Sequence, residues 1–599
     1  MARLTDLAER TTPAAAVRTR RRRPRVPGIL VLLGVLPVMA VILLPIAVVA
    51  FGSLWSAPFV RMPGGLTLDN YLKIVTGDGA GQILLNTVEM TFGASALALL
   101  LGGSQAWVIA RTDVPLKKVL RWLPVTPLLL SALVANFGWT ALYGPESGIV
   151  NKLLAGAFGL DGPVFDIFSM PGLVIALGTH LAPIPYMILL GPLTTMNRSL
   201  DEASRASGAN RLRTFRSVNL PLMRPALLSS FTLAAIVASH AFETPVILGA
   251  PAGIRTYVSE IYHAISADVN YSRASAQAMV YLALIGLLLW WNRRMTRHEA
   301  RFATVAGRGH NPATVRLGAW RPVAALYVLV VFFLTVVQLV AANVFVSLLP
   351  YYTANAELPP FTLENFRTAF DTPRSVEAMQ NSLLLAASVA VIAVAVATLL
   401  AIVAYKTRYR ARRWAEEVGT LPVAFPPLVF SMAMLITFLS VPGFSGLYNT
   451  VALLVLVLVV VYLPFALRVM GSSVLNIDAS LIEASASSGA RMPRTIRTIF
   501  LPLLAIALTG AFALVFIFSF RELGGIALVT PPNVPLLPSH IYGLWSTGHL
   551  PTLYALNIVS LTLTVVAFLV MGLCAYLISR RITKARQVDQ MDLLADVAR

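Results

Sequence analysis

Residues 202–221 read EASRASGANRLRTFRSVNLP, a polar, arginine-rich stretch between apolar flanks, and residues 483–502 repeat its pattern as EASASSGARMPRTIRTIFLP. Glu202, Ala203, Gly208, Leu220 and Pro221 match Glu483, Ala484, Gly489, Leu501 and Pro502 at a single offset of 281. In each copy a serine, Ser199 or Ser480, stands three residues before the glutamate, the spacing of a capping box that opens a short helix. Gly208 and Gly489 are placed to end that helix in a left-handed conformation. Leu212, Phe215 and Val218, and Met492, Ile496 and Ile499, then fall at helical spacing. Pro221 and Pro502 are expected to stop this second helix where the next apolar run starts. The pattern predicts two helix-turn-helix hairpins, each with an apolar face that needs protein to cover it.

The surroundings of these hairpins belong in a bilayer. The 599 residues are 57% hydrophobic and 12% charged, with mean hydropathy +0.75, well outside soluble usage. Apolar runs of the length a hydrocarbon core requires, about 20 residues, occupy roughly 28–54, 82–109, 119–143, 172–193, 226–249, 275–292, 322–349, 382–405, 417–439, 452–472, 503–529 and 555–579. The expectation is an all-α polytopic membrane protein of about twelve transmembrane helices. The run RTRRRRPR at 18–25 reads as the flank of an uncleaved anchor. With both termini cytoplasmic, 39 of the 47 Lys and Arg lie inside, which sets the orientation by the positive-inside rule. It also explains the net charge of +20 without a nucleic-acid partner. One cysteine, Cys574, leaves no intrachain disulfide or cysteine metal cluster.

The halves are duplicated. LTLDNYLKIV at 66 matches FTLENFRTAF at 361, and Asn86 with Thr87 matches Asn381 with Ser382, at an offset of 295. Six spans per copy is an even number, so the copies enter from the same side and are related by an axis along the membrane normal. The expected organisation is a basic cytoplasmic tail at 1–27, a first repeat at 28–292 with its hairpin at 199–221, and a linker at 293–321. A second repeat at 322–579 with its hairpin at 480–502, and a cytoplasmic tail at 580–599, complete it.

The hairpin spacing resembles the EAA loop of the membrane subunits of binding-protein-dependent ABC importers, and its double occurrence is similar to the fused permeases of ferric-iron and thiamine import. That resemblance implies a type I importer permease fold in a bacterial inner membrane, an extracytoplasmic solute-binding protein, and loops that dock into two cytoplasmic ATPase subunits. The motif's second alanine is replaced by Ser204 and Ser485, a small-for-small change. ATP has to come from the partners. A phosphate-binding loop needs Gly before its Lys, and the six lysines here follow Leu, Leu, Lys, Asn, Tyr and Thr. No cofactor, catalytic group or metal is expected on the chain itself.

Ionisable residues within spans mark either a pathway or a paired structural site. His240 and Glu243 are expected on one helical face of the fifth span, with Arg521 and Glu522 in the eleventh. These four could line a gate. Alternatively, Arg521 pairs with Glu243 or Glu522 across the pseudo-twofold axis, and Glu89 is paired structurally in the second span. FETPVILG and ELGGIALVTPP look like the ferric-type pattern and make iron the expected cargo, with thiamine, polyamine, phosphonate or another small solute as alternatives. A secondary transporter would also be duplicated, but has no use for two polar hairpins. A membrane enzyme would need a catalytic constellation that seven scattered histidines do not offer.

Overall fold

The twelve apolar runs become nine unbroken helices and three bent pairs among the described residues of this computed structural model. It describes residues 28–77, 79–160, 162–196, 198–296, 314–352, 359–406, 411–490 and 492–597. The expected tail at 1–27 and much of the 293–321 linker lie outside them. The segment expected as the tail at 580–599 is helical as far as it is described, continuing the last helix, which runs from Leu550 to Val597. Among the described residues there is no strand, only two isolated bridges.

The runs at 119–143 and 417–439 are not continuous spans. Lys117–Leu129 meets Ala132–Tyr143 at 94°, and Trp414–Ala424 meets Pro427–Ser440 at 107°. Prolines are the cause. Pro124 and Pro127 hold Leu123–Leu129 in a tight 3₁₀ turn, after which the Ser131 Oγ caps a new helix by accepting the Val134 N–H at 3.2 Å. In the other copy Pro422 sits in the 3₁₀ turn Leu421–Ala424, with Pro426 and Pro427 at the break. A proline has no N–H to continue the ladder, and its ring crowds the preceding turn. Ser131 and Pro426 stand 295 residues apart, so the breaks correspond. The third bent pair, Met170–Leu181 with Pro183–Thr195, turns by only 45°.

The duplication is visible bond by bond. The Asn86 Nδ2 donates to the Arg255 carbonyl at 3.0 Å and the Asn381 Nδ2 to the Pro535 carbonyl at 3.1 Å. Beside them the Thr87 hydroxyl accepts the Tyr257 N–H, and the Ser382 hydroxyl the Leu537 N–H. The copies also embrace. The first span, Gly28–Gly52, packs on Pro427–Ser440 of the second copy, and Gln338–Ser347 packs on Ala132–Tyr143 of the first. Each broken span is therefore covered by the other copy's opening helix. The Asn343 Nδ2, donating to the Val134 carbonyl at 3.0 Å, fixes one of these contacts.

Close approach depends on Gly102, in the helix Ala80–Arg111. A Cβ built there would lie 2.1 Å from the Ala182 carbonyl oxygen and 2.9 Å from the Tyr186 nitrogen, both at the bend of the fourth span. Backbone cannot swing aside as a side chain can. Gly102→Val is expected to destabilise the chain by at least ~1–3 kcal/mol, the usual range for overpacking. A lowered melting midpoint in detergent checks this, and an unchanged midpoint would mean that the two helices separate freely.

Candidate functional site

The two polar hairpins are built alike, although neither opens at its expected cap. Their first helices are Arg198–Ala206 and Ala479–Ser487, which places Ser199 and Ser480 inside the helix. In the second copy Asp478 is the cap, its Oδ1 accepting the Ser480 N–H at 2.8 Å. A carboxylate one residue outside the helix reaches a free N–H and also meets the positive end of the dipole. The far ends follow expectation. Gly208 has φ 81° and Gly489 φ 76°. The Ala209 N–H bonds back to the Ser204 carbonyl, and the Ala490 N–H to the Ser485 carbonyl, both at 3.1 Å. These are Schellman turns.

The second arm does not stop at the prolines. Arg211–Thr214 and Met492–Thr495 continue through wide π turns, Phe215–Asn219 and Ile496–Phe500, directly into the helices Leu220–Ser239 and Leu501–Phe520. The Leu220 N–H reaches back five residues to the Phe215 carbonyl, and the Leu501 N–H to the Ile496 carbonyl. Widening the turn just ahead of Pro221 and Pro502 accommodates a ring that would otherwise collide with the carbonyl four residues back. The second arm of each hairpin is thus continuous with a span.

A second feature escaped the sequence reading. The Ser204 hydroxyl lies 3.0 Å from that of Thr214, and the Ser485 hydroxyl 2.8 Å from that of Thr495, so each hairpin is stapled across its turn. The serines that depart from the motif's alanine are what make the staple possible. The signal was present: both members of the pair recur at the offset of 281.

Deeper in the bundle the fifth and eleventh spans end early, at Ser239 and Phe520. His240 and Arg521 are the next residues, again 281 apart, so the two helix ends correspond, and at the second the arginine's charge suits the helix dipole. His240 and Glu243 consequently do not share a helical face, because the helix has ended between them. Arg521 does not take either carboxylate as its partner. Its Nη1 donates to the carbonyls of Leu128 and Leu130, at 2.5 and 2.9 Å, across the interface between the copies. The break in the third span supplies these acceptors by leaving carbonyls without helical donors. The guanidinium also lies 5.0 Å from the Phe518 ring centroid. Glu522 accepts instead from the Tyr462 hydroxyl and from the Gly525 N–H, the latter at 2.8 Å. Glu243 faces the backbone N–H groups of Leu523 and Gly524 in the other copy. A Cβ on Gly524 would stand 3.4 Å from that of Phe242, so the ends of the two spans meet at the pseudo-twofold axis. Glu89, expected to be paired, is exposed on its helix. Among the described residues no three His, Cys, Asp or Glu side chains form a metal-binding group.

The sequence matches the family model described as binding-protein-dependent transport system inner membrane component over residues 14–300 and again over 393–587. The ferric transport system permease protein FbpB of Actinobacillus pleuropneumoniae is 25% identical over 425 residues, covering 70% of this chain and 60% of that protein. The probable ABC transporter permease protein y4fN of Sinorhizobium fredii is 27% identical over 439 residues, covering 70% of this chain and 74% of its own. The putative 2-aminoethylphosphonate transport system permease protein PhnU of Salmonella choleraesuis is 25% identical over 268 residues, covering 43% of this chain and 93% of its own. The chain thus spans less than two thirds of the length of the ferric relative.

Proposed function

The chain belongs to the family of binding-protein-dependent transport system inner membrane components, and from that premise we propose that it forms the substrate pathway of an ABC importer and couples it to two ATPase subunits supplied as partners. The observation that carries this reading is the pair of stapled hairpins, each turned by a left-handed glycine and continuous with a span. Leu212 and Leu481 are exposed on them, apolar surface that a docking cleft would cover. The excess of Lys and Arg on the hairpin side supports a cytoplasmic position for both loops and both termini in a bacterial inner membrane. The repeats are read as 28–292 and 322–579, joined by 293–321. Glu202, Ala203, Gly208, Leu220 and Pro221, with Glu483, Ala484, Gly489, Leu501 and Pro502, make up the coupling loops.

The chain binds no cofactor and is not an enzyme in this reading; ATP is hydrolysed by its partners, and an extracytoplasmic binding protein delivers the solute. His240, Glu243, Arg521 and Glu522, gathered where the fifth and eleventh spans meet, serve as the gate. Ferric iron is the proposed cargo, supported by the ferric transport relative. The expected extracytoplasmic loops also carry eleven acidic against seven basic residues, an acidic mouth that attracts cations or a basic binding-protein surface.

Uptake of labelled ferric iron by cells with and without the gene tests the cargo, with thiamine and 2-aminoethylphosphonate run in parallel. Iron uptake is expected to fall on deletion. Unchanged iron uptake with loss of either control would reassign the cargo and leave the importer standing.

A further inference from the structure

On the face opposite the hairpins the second copy holds a cavity of about 460 Å³. The helix Pro373–Lys406 joins the two faces: Lys406 bonds the Ile477 carbonyl just ahead of the second hairpin, and Arg374 stands at the other end, about 50 Å away at 1.5 Å per residue. Arg374 and His540 line the cavity, with Pro531, Pro535 and Leu544 among its apolar walls. Among the described residues no carboxylate lines it. The ring of His540 is held by Ser375, whose hydroxyl lies 3.0 Å from Nε2. With that hydroxyl donating, the ring proton sits on Nδ1 and is available to a ligand oxygen. Burial and the charge of Arg374 keep this imidazole below its ordinary range, so at neutral pH the cavity's charge is the guanidinium.

The first copy shows what such a corner is built to hold. The bonds from Asn86 to Arg255 and from Asn381 to Pro535 set these segments at an offset of 280, which pairs His540 with Glu260. Glu260 is only 3% exposed, and two arginines clamp it. Arg273 Nη2 donates to its Oε1 at 3.0 Å, and Arg255 Nη1 to its Oε2 at 3.3 Å. At the same offset Arg273 and Arg255 become Leu553 and Pro535. The second copy has thus exchanged the carboxylate and both of its arginines, while Arg374, whose counterpart at 295 is Gly79, brings a cation in from another helix. A corner that carries its own anion in one copy presents a cation, an imidazole and a cavity in the other.

We infer that this cavity binds a small organic carboxylate, its carboxylate taken by Arg374 and His540 and its carbon skeleton by the proline-lined wall. A guanidinium offers a carboxylate two parallel N–H donors in one planar fork. The walls of proline and Leu544 take methylene groups out of water, a gain that phosphate or chloride does not share. The volume falls within the range of small-molecule sites, ~300–1,000 Å³, and exceeds what one acidic side chain of a docking protein would fill. The inference needs neither the proposed cargo nor the ATPase partners.

Binding is measured on the purified full chain in detergent at pH 7 and constant ionic strength, by calorimetric titration and melting midpoint, with succinate and citrate as probes and inorganic phosphate and chloride in parallel. Succinate and citrate are expected to bind with a dissociation constant below about 1 mM and to raise the midpoint. Arg374→Gln should weaken binding about tenfold or more, as loss of a hydrogen bond to a charged group does, and Arg374→Lys should weaken it less. Gly543→Leu fills the cavity without touching its charges. A Cβ there meets nothing within 4 Å, so the ligand-free variant should melt with the wild type and yet lose binding. His540→Glu, which restores the carboxylate of the first copy, should abolish binding by occupying Arg374 itself. No binding at about 10 mM, binding unaffected by Arg374→Gln, or phosphate or chloride bound as tightly as succinate would overturn the inference. Loss of binding-protein docking in Arg374→Gln, with no carboxylate bound by the wild type, would give the cavity to an acidic side chain of that partner and overturn it equally.

Discussion

Replacing Gly208 and Gly489 together by leucine is expected to abolish ATP hydrolysis by the proposed ATPase partners in complex with this chain, whereas asparagine at the same positions should retain roughly half of it, since asparagine tolerates the left-handed conformation. Space is not the obstacle: a Cβ at either glycine meets nothing within 4 Å. The backbone is, because φ of 81° and 76° lies where a branched side chain costs on the order of 1–2 kcal/mol per residue. A chain relieved of that strain loses the bonds from Ala209 to Ser204 and from Ala490 to Ser485. The two arms then splay, and the hydroxyl staples from Ser204 to Thr214 and from Ser485 to Thr495 part with them. Membrane content of the variant should stay normal, since the spans lie outside the turn. Stimulated hydrolysis by purified complexes is the measurement, and full activity in the double leucine variant would show that docking does not need the turn.

The contrast between the turns and the breaks explains what could be read from the residues alone. Hydropathy sums over a window, so all twelve apolar runs were recoverable, yet a sum cannot register a 94° or 107° bend inside a run. The bends were written instead in Pro124, Pro127, Pro422, Pro426 and Pro427. Glycine at a helix end is a local signal with one dominant cause, and Gly208 and Gly489 were legible for that reason. Ser199 and Ser480 fitted the capping box equally well, but Asp478 is the stronger acceptor in the better place.

Partners far apart in sequence were the least accessible. Nothing near Asp201 points to Arg111, ninety residues away, and nothing near Arg521 points to the carbonyls of Leu128 and Leu130. A cation in a span suggests a carboxylate, because side chains are what a sequence displays. Backbone acceptors become available only where a helix breaks, so the misassigned partner of Arg521 follows from the unseen bend. The internal duplication could have narrowed the search. The offset of 281 pairs His240 with Arg521, which marks both as helix-end residues, and the offset of 295 pairs Arg111 with Lys406.

Arg521→Leu should therefore do more damage than loss of a single ion pair would predict. Two carbonyls at the break of the third span lose their donor at once, and each buried acceptor left without a partner costs about 1–3 kcal/mol. The carboxyl of Glu522 also loses the positive charge beside it. A combined loss of about 3–5 kcal/mol is expected, the range seen when one member of a buried charged set is removed. Arg521→Lys should recover part of it, since an ammonium can reach one carbonyl but cannot span two with a rigid fork. Glu522→Gln on the leucine background should also recover part, by removing one of the two facing carboxylates, and such non-additivity is the signature of groups acting as a unit. The melting midpoints of the four purified chains in detergent, with uptake measured alongside, decide the matter. If Arg521→Leu melts with the wild type, the bonds across the pseudo-twofold axis hold nothing together, and the gate proposed where the fifth and eleventh spans meet would have to work without them.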